Sequence, residues 1–187
     1  MRIVLPCLCL FLSSFVNATT VIPMSVEELT HAAARVVEGE VVGSWSAWNA
    51  ERSAIYTYSR VRITRALKGG VEPEIIVQQL GGSAEGYTLK VAGVRGLERG
   101  ERAMLFLRPA RATGGAAWTI VGLMQGHFRV YAAGGQPRVS NGLQVRTARG
   151  QASTAVAESL STSSFSGGVP SMTLQELESR VREALAE

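Results

Sequence analysis

The chain contains no aspartate, and its two cysteines, Cys7 and Cys9, both lie close to the N-terminus. The absence of aspartate excludes aspartic-protease dyads, EF-hand loops and Ser-His-Asp triads. Histidine is nearly as scarce, because the sequence has only His31 and His127. These two residues are far apart in sequence and have no partner at metal-binding spacing. We therefore predict no metal site, no cofactor and no catalytic residue.

The first 18 residues have the layout of a secretory signal peptide. Met1-Arg2 supplies a positive charge, residues 3–16 are mostly apolar, and the small residue Ala18 ends the segment. A membrane anchor is the alternative, but the run is shorter than the roughly 20 apolar residues that a spanning helix needs. We expect cleavage after Ala18, a secreted or periplasmic location and no membrane association afterwards. The mature chain would then lack cysteine, which excludes a disulfide scaffold and a cysteine nucleophile.

Composition divides the rest of the chain into three parts. Residues 19–140 are predicted to form a β-barrel domain with a leading helix, and residues 141–171, rich in Ser, Thr, Ala and Gly, a flexible linker. Residues 172–187 are predicted to form an amphipathic helix that packs on its own domain. Both helices begin with the spacing of a capping box. The boxes are Ser25 with Glu28 and Thr173 with Glu176, and the apolar stripe of the second helix is Leu174, Leu177, Val181 and Leu185.

One long strand organises the predicted domain. From Ile55 to Leu67 the residues alternate between two faces, a pattern typical of a half-buried strand. Arg65 interrupts the inward set, as a bulge would. A strand of more than about 40 Å usually bends and serves two sheets or most of a barrel. The inward residues are Ile55, Thr57, Val61, Ile63 and Leu67, and the outward residues are Tyr56, Tyr58, Arg60, Arg62 and Thr64.

Shorter strands and glycine-rich turns surround this strand, and the pattern predicts a mainly β, OB-like barrel with a helix at each end. Trp45 and Trp48 are placed in a polar loop before the long strand, and Gly81–Gly86 in a flexible turn. The strand over 102–108 has a nearly continuous apolar centre and is predicted to be buried on both faces. The other strands are predicted at 35–43, 74–80, 87–91, 117–121 and 127–131, and the core at Val61, Ile63, Val77, Leu105 and Phe106.

Aromatic and basic residues mark the candidate binding surface. Tyr56, Tyr58, Arg60 and Arg62 share one face of the long strand, a stripe of the kind that binds single-stranded nucleic acid in OB-type barrels. An exported protein seldom meets nucleic acid, so a protein surface or an anionic glycan is the better candidate. The alternative is an ordinary solvated strand face. The two tryptophans, Trp45 and Trp48, are predicted to anchor a partner or stack on sugars, or else to cover the barrel as a lid.

The chain resembles the netrin-type module, an OB-like barrel known from the N-terminal domain of the tissue inhibitors of metalloproteinases. The resemblance runs from about Ser25 to Tyr131 and includes the helix followed by residues 34–41, the tyrosine-bearing strand closing on Leu67-Lys68-Gly69, and Trp118-Thr119-Ile120. It also covers residues 74–80, the Gly81-Gly82 turn and residues 89–93. The chain is similar as well to uncharacterised exported bacterial proteins of this layout.

The resemblance implies a protease inhibitor, with one departure. Those inhibitors coordinate a protease's zinc through an N-terminal cysteine, whereas the mature chain here would begin at Thr19. We predict a non-catalytic protein that binds a protein or peptide through Trp45, Trp48 and the Tyr56–Arg62 face, with a metalloprotease as partner only by analogy. The alternatives are anionic-glycan binding and a small periplasmic hydrolase that uses Glu and His. His31, His127 and a Glu within about 5 Å of one another would favour the hydrolase.

Overall fold

The computed structural model describes residues 22–70, 72–91, 94–111, 116–142 and 172–187. The fold is mainly β with one helix near each end of this part of the chain, which confirms the predicted class. The predicted signal peptide lies outside the described residues, and so does the predicted linker apart from Asn141 and Gly142. The elements in chain order are α1 (Val26–Ala32), β1 (Arg35–Trp48), β2 (Ile55–Lys68), β3 (Glu74–Leu80), β4 (Gly82–Ala84), β5 (Tyr87–Leu89), β6 (Arg102–Pro109), β7 (Trp118–Ile120), β8 (His127–Ala133), β9 (Gln136–Ser140), β10 (Met172–Thr173) and α2 (Leu174–Ala186).

Five strands pair in a closed ring. β1 pairs with β2, β2 with β3, β3 with β7 and β7 with β6, and β6 pairs back with β1. The β3–β7 pairing is parallel and consists of one residue pair, Val77 with Trp118. This pairing is the shortest in the ring, and we call it the β3–β7 seam. The ring is compatible with an OB-like barrel, and β8, β9 and β10 continue the sheet beyond β6.

The register between the two longest strands, β1 and β2, is irregular, and irregularities of this kind bend a strand. The pairing slips between Val36 and Val37 and again between Glu38 and Gly39, so that β2 contributes the extra residues on either side of Arg65. The predicted interruption at Arg65 is therefore confirmed as an irregular ladder. Gly39 lies at one of these slips, where an added Cβ would come within 2.6 Å of the Arg62 carbonyl oxygen. Only glycine lets the two backbones approach this closely.

Strand β6 separates two apolar cores, as its unbroken apolar centre predicts. Leu105 and Leu107 point into the ring, where Val61 and Val77 also lie. Phe106 points to the other side, into a core that the two helices cover. The predicted core residues Val61, Val77, Leu105 and Phe106 are all fully buried, and Ile63 is half-buried against the ring core.

Both helices begin where their capping residues predict and pack on the same side of β6. The Ser25 hydroxyl accepts a hydrogen bond from the Glu28 backbone N–H at 3.2 Å, and the Glu28 carboxylate accepts one from Ser25 N–H at 2.7 Å. In α2, Leu177 and Val181 are buried in the helix-covered core. The predicted stripe fails at its last member, because Leu185 is 41% exposed.

Charged side chains tie α2 to the ring, and we call Glu38, Arg65, Arg102 and Glu178 the helix-side cluster. Arg65 donates to Glu38 at 2.9 Å and also to Glu178, and Arg102 donates to Glu38 at 2.7 Å. Both carboxylates are buried. Burial alone would lower the pKa of Arg65, but its hydrogen bonds and ion pairs with Glu178 and Glu38 raise it. Each buried charge in this cluster therefore has an opposite charge in contact.

Three local predictions are wrong. β1 continues through Trp48, so Trp45 and Trp48 lie on a strand, because the pairing with β2 extends to Ile55. The predicted Gly81–Gly86 turn contains β4, which forms a hairpin with β5 across Glu85 and Gly86. Strand β9 was not predicted at all. No helix among the described residues is long and apolar enough to cross a membrane.

Candidate binding face and groove

Cross-strand register places several of the predicted site residues in one row on the outside of the ring. Trp45 of β1 is opposite Tyr58 of β2, and Tyr58 is opposite Gln78 of β3. Directly opposed residues of antiparallel strands project from the same face of the sheet. The row continues across the β3–β7 seam. Val77 pairs with Trp118 there, and because the two strands are parallel, the residues that follow them, Gln78 and Thr119, lie side by side.

Thr119 in turn is opposite Arg108 of β6. The outer row therefore consists of Trp45, Tyr58, Gln78, Thr119 and Arg108, one residue from each strand of the ring. An aromatic pair lies at one end of this row and a cation at the other.

The aromatic end is a stacked pair. The rings of Trp45 and Tyr58 lie 5.6 Å apart between centroids, with 19° between their planes. Trp45 nevertheless keeps 46% of its surface exposed. Arg60, two residues from Tyr58, is exposed on the same face of β2. We call Trp45, Tyr56, Tyr58 and Arg60 the aromatic face.

A groove of about 490 Å³ lies next to this face. Tyr56 and Leu80, which are opposite each other across β2 and β3, form one wall. The segment before α1 forms another, and it is held by Gln125, whose side chain accepts from Met24 N–H at 2.7 Å and donates to the Ile22 carbonyl at 3.0 Å. The remaining lining residues are Gln78, Gln79, Val91, Val94, Arg108, Ala110, Arg111, Thr119, Ile120, Gly122 and Leu123.

The groove contains polar groups that lack partners within the described chain. Gln78 is 4% exposed, and its Oε1 is buried without a hydrogen-bond donor among the described residues. Arg108 and Arg111 are exposed at the rim and have no carboxylate within salt-bridge distance in the described part of the chain. A buried acceptor without a donor destabilises a protein unless something else donates to it. The two exposed arginines are therefore able to hold an anion, and Gln78 is a buried polar side chain whose oxygen lacks a donor among the described residues.

Trp48 lies apart from the aromatic face. Its register partner is Ile55, which is buried, so Trp48 projects from the opposite face of β1 to Trp45. Its ring meets the edge of Tyr87 on the β4–β5 hairpin at 5.6 Å, and Arg52 lies over it. Arg52 also forms an ion pair with Glu85 in the hairpin turn. Trp48 thus supports the hairpin, and the two tryptophans do not form one anchor.

Arg62 is exposed, but Glu74 lies opposite it on β3 and the Arg62 Nε approaches the Glu74 Oε1 to 3.4 Å. Its charge is thereby partly offset. Of the six predicted site residues, the structure brings Trp45, Tyr56, Tyr58 and Arg60 together, whereas Trp48 lies elsewhere and Arg62 is paired.

The two histidines do not meet. His127 is buried and its Nε2 lies 2.8 Å from Glu101 Oε1, and Arg95 contacts the other oxygen of Glu101 at 3.1 Å. His31 is exposed on α1, and its charged partner is Glu187 at 3.9 Å. No group of three or more possible metal ligands exists among the described residues.

The Glu101–His127 pair links the first residue of β8 to the residue just before β6. Burial would raise the pKa of Glu101, but the hydrogen bond and charge of His127, a hydrogen bond from the Glu98 backbone and the charge of Arg95 lower it overall. Both side chains are almost completely shielded from solvent. A substrate has no access to the pair, so its role is structural.

The sequence did not indicate Gln78, Thr119, Arg108 or Arg111 as site residues. They come from three different strands and a loop, and only the closure of the ring places them in one groove. One signal was available, because Gln78 and Gln79 are consecutive polar residues between the apolar residues Ile75–Val77 and Leu80 of β3. Gln79 is accounted for by its bonds to the Arg95 carbonyl and the Leu97 N–H, which leaves Gln78 as the unexplained one.

Comparison with known proteins adds no candidate function. No protein-family model matches the chain, and a search of curated proteins gives no match either.

Proposed function

We propose that this chain is an exported, non-catalytic binding protein that holds a protein or peptide partner against the aromatic face. The observation that carries the proposal is the exposed, stacked pair of Trp45 and Tyr58 on the outside of the ring. Aromatic side chains supply large contact area with few rotatable bonds, and they dominate the binding energy of many interfaces. Tyr56 and Leu80 extend the apolar surface towards the groove.

The charge on this face favours a protein or peptide over an anionic glycan. Arg62 is offset by Glu74, and Arg60 is then the one exposed cation beside the aromatic pair within the described chain. Sulfated or carboxylated glycans are usually held by several basic residues together. A hydrolase is not supported, because His127 and Glu101 are buried and His31 forms a charged pair with no described residue other than Glu187.

The test uses the two tryptophans as a matched pair, since they lie on the same strand but on opposite faces. A phage-displayed library of random dodecapeptides is selected on the purified protein, and the selected clones are then bound to Trp45→Ala and Trp48→Ala variants. Trp45→Ala is expected to weaken binding by about tenfold or more, as truncation of an aromatic anchor usually does. Trp48→Ala is expected to lower the melting temperature, because it removes the support of the hairpin. At a temperature where this variant is still folded, it should bind the selected clones nearly as tightly as the parent does.

Three results would contradict the proposal. Selected clones that bind Trp45→Ala as tightly as the parent would place the binding surface elsewhere. A large loss of melting temperature in Trp45→Ala would show that this tryptophan stabilises the fold. Equal binding to a Tyr58→Ala variant would likewise exclude the stacked pair as the anchor.

Export is part of the same proposal. It is supported by the charged start, the apolar run and the small residue Ala18 at the end of the segment. The intact mass of secreted or periplasmic material should correspond to a chain that begins at Thr19. Recovery of a product that retains Cys7 and Cys9 would contradict processing at this position.

A further inference from the structure

We propose that the groove binds the C-terminal end of a peptide, with Arg108 and Arg111 on the terminal carboxylate and Gln78 Oε1 accepting a hydrogen bond from a backbone N–H of that peptide. This inference rests on the proposed function, because it specifies which part of a peptide partner enters the groove.

Gln78 supplies the first argument. Its side chain lines the groove, is almost completely buried, and leaves Oε1 without a donor in the described part of the chain. A buried carbonyl oxygen of this kind is costly to maintain. Its Oε1 has almost no accessible surface in the free protein, so ligand binding requires the Gln78 amide to turn about its last side-chain torsion, which is a soft one, and so present the oxygen to a ligand donor. The donor has to come from inside the groove, where Tyr56 and Leu80 on one side and Ile120 on the other provide mainly apolar surroundings.

The two arginines supply the second argument. Arg108 and Arg111 line the groove, and they also line an adjoining depression together with Pro109 and Thr119, so they stand on the ridge between the two. Several other arginines of the ring have carboxylate partners, such as Arg35 with Glu72 at 2.7 Å and Arg62 with Glu74 at 3.4 Å, although Arg60 has none in the described chain. Arg108 and Arg111 have none within the described chain, and guanidinium groups match carboxylates in both charge and geometry.

The opening of the ring supplies the third argument. β3 and β7 are joined at one residue pair, Val77 with Trp118, and beyond it the two strands border the groove. An extended chain lying along this seam would have its side chains against the apolar walls. One of its N–H groups would then lie beside Gln78 and its end beside Arg108 and Arg111, because Gln78 and Arg108 belong to the same row across the seam.

These features together select a peptide end. A fatty acid offers a carboxylate and an apolar tail but no N–H for Gln78. A glycan offers hydroxyl donors but little apolar surface for Leu80, Val91, Val94 and Leu123. A peptide with a free C-terminus offers an N–H donor, a carboxylate and apolar side chains within one short extended segment. The groove volume of about 490 Å³ suits two to three residues of such a segment, being within the usual range of ligand pockets.

The experiment compares two pools of synthetic random hexapeptides that differ only at the C-terminus. One pool has free carboxylates and the other is amidated, and each is passed over the immobilised protein, with retained peptides measured by mass spectrometry. We expect the free-acid pool to be retained about tenfold more than the amidated pool, because charge-assisted bonds to the carboxylate are lost on amidation. The retained peptides should have apolar residues in their last positions.

Three variants assign the effect to the groove. Arg108→Gln and Gln78→Leu should each reduce retention of the free-acid pool severalfold, and Arg99→Gln, an exposed arginine outside the groove, should leave it unchanged. Arg108→Gln should also remove the preference for free-acid over amidated peptides, whereas Gln78→Leu should preserve it, since the leucine cannot accept a hydrogen bond but the arginines remain.

The outcomes separate this inference from the proposed function. Peptides displayed on phage present no free C-terminus, so the phage experiment tests the aromatic face independently of the groove. If both peptide pools were retained equally while Trp45→Ala still bound the phage clones poorly, the groove assignment would be overturned and the aromatic face would remain. Retention of laurate with sensitivity to Arg108→Gln, and no retention of either peptide pool, would overturn the choice of a peptide. A free-acid preference that survives Arg108→Gln and Arg111→Gln together would overturn the role of the two arginines.

Discussion

The helix-side cluster and the groove both contain arginines near a buried polar group, and they differ in whether those groups have partners. In the helix-side cluster, Glu38 accepts hydrogen bonds from Arg65 and Arg102 and is almost completely buried. In the groove, Gln78 Oε1 is equally buried but has no donor among the described residues, and Arg108 has no carboxylate there. We interpret the first group of residues as stabilising the fold and the second as the part of the groove that the proposed peptide would contact.

The difference has a cause in the topology. The helix-side cluster lies where α2 packs against the ring, so that Glu178 of the helix is available to complete it. The groove lies at the β3–β7 seam, where a single residue pair joins the strands. Where α2 packs on the ring, the buried charges are matched from within the chain. At the seam, Gln78 Oε1 is buried without a donor, and Arg108 is exposed without a carboxylate in the described part of the chain. The predictions that follow test this contrast, from the largest expected effect to the smallest.

Val61→Asp places a new carboxylate inside the ring, where Val61 is fully buried among apolar residues and no arginine contacts it in the described structure. In contrast to Glu38, this carboxylate would be buried without an opposite charge. We expect a loss of about 3 kcal/mol or more in the free energy of unfolding. The measurement is urea unfolding, with the neighbouring exposed Arg60→Asp as control, for which a change within about 0.5 kcal/mol is expected. Equal stability of the two variants would show that the inward and outward faces of β2 are wrongly assigned.

Glu38→Gln tests whether the helix-side cluster stabilises the fold. The substitution keeps the shape but removes the charge that Arg65 and Arg102 contact. Removal of one partner from a buried ion pair can cost about 3–5 kcal/mol. Arg65 and Arg102 retain 40% and 53% exposure and so can turn to water, which reduces our expectation to about 1–3 kcal/mol. An unchanged unfolding midpoint would mean that the cluster contributes no stability, and the contrast with the groove would fail.

Gln78→Leu is expected to have the opposite sign. Leucine has a similar size and carries no oxygen that requires a donor, so the free protein should unfold at the same free energy or up to about 1 kcal/mol higher. A gain in stability together with a loss of binding is the usual sign of a residue kept for function. Chemical unfolding of the unliganded protein measures the effect. A loss of more than about 1 kcal/mol would show that Gln78 is satisfied within the protein.

The period-two pattern in the sequence accounts for the long strand and for its two faces, because burial of one side dictates that pattern. Other local patterns were equally informative. A nearly continuous apolar centre predicted that β6 is buried on both faces, and Ser25 and Thr173, each three residues before a glutamate, predicted the helix caps. The prediction of a loop around Trp45 and Trp48 was wrong. Ser, Gly and Asn around them suggested a loop, but pairing with β2 stabilises the strand through Trp48.

The groove could be predicted only in part. Tyr56 and Tyr58 followed from alternation along one strand, but Gln78 and Arg108 join them through pairings between strands that are distant in sequence. Register across strands is determined by the whole core, and the single pair Val77–Trp118 that aligns Gln78 with Thr119 leaves no local trace. Trp45 and Trp48 lie on opposite faces because three residues separate them on one strand, but it is the register shift between Val41 and Gly43 that places Trp45 on the outside.

The smallest effect concerns the contact between the helices and its dependence on pH. Arg180 of α2 donates two hydrogen bonds to Glu27 of α1, at 2.8 and 2.9 Å, and these bonds lower the pKa of Glu27 from an ordinary 4.5 to about 2. Since the folded pKa lies below the unfolded one, the stabilisation is fully present above pH 4.5 and disappears as the pH falls towards 2. Both side chains are about a third exposed, so the contribution at neutral pH should be below about 1 kcal/mol. Arg180→Gln should therefore be slightly less stable than the parent at pH 7, and the gap in melting temperature should close between pH 4.5 and 2.

Arg111→Gln in the groove serves as the matched control, because its arginine has no carboxylate partner within the described chain and should show no such gap at any pH. A gap for Arg180→Gln that persists below pH 2 would assign its effect to packing, and a pH-dependent gap for Arg111→Gln would mean that the groove arginines are paired within the protein.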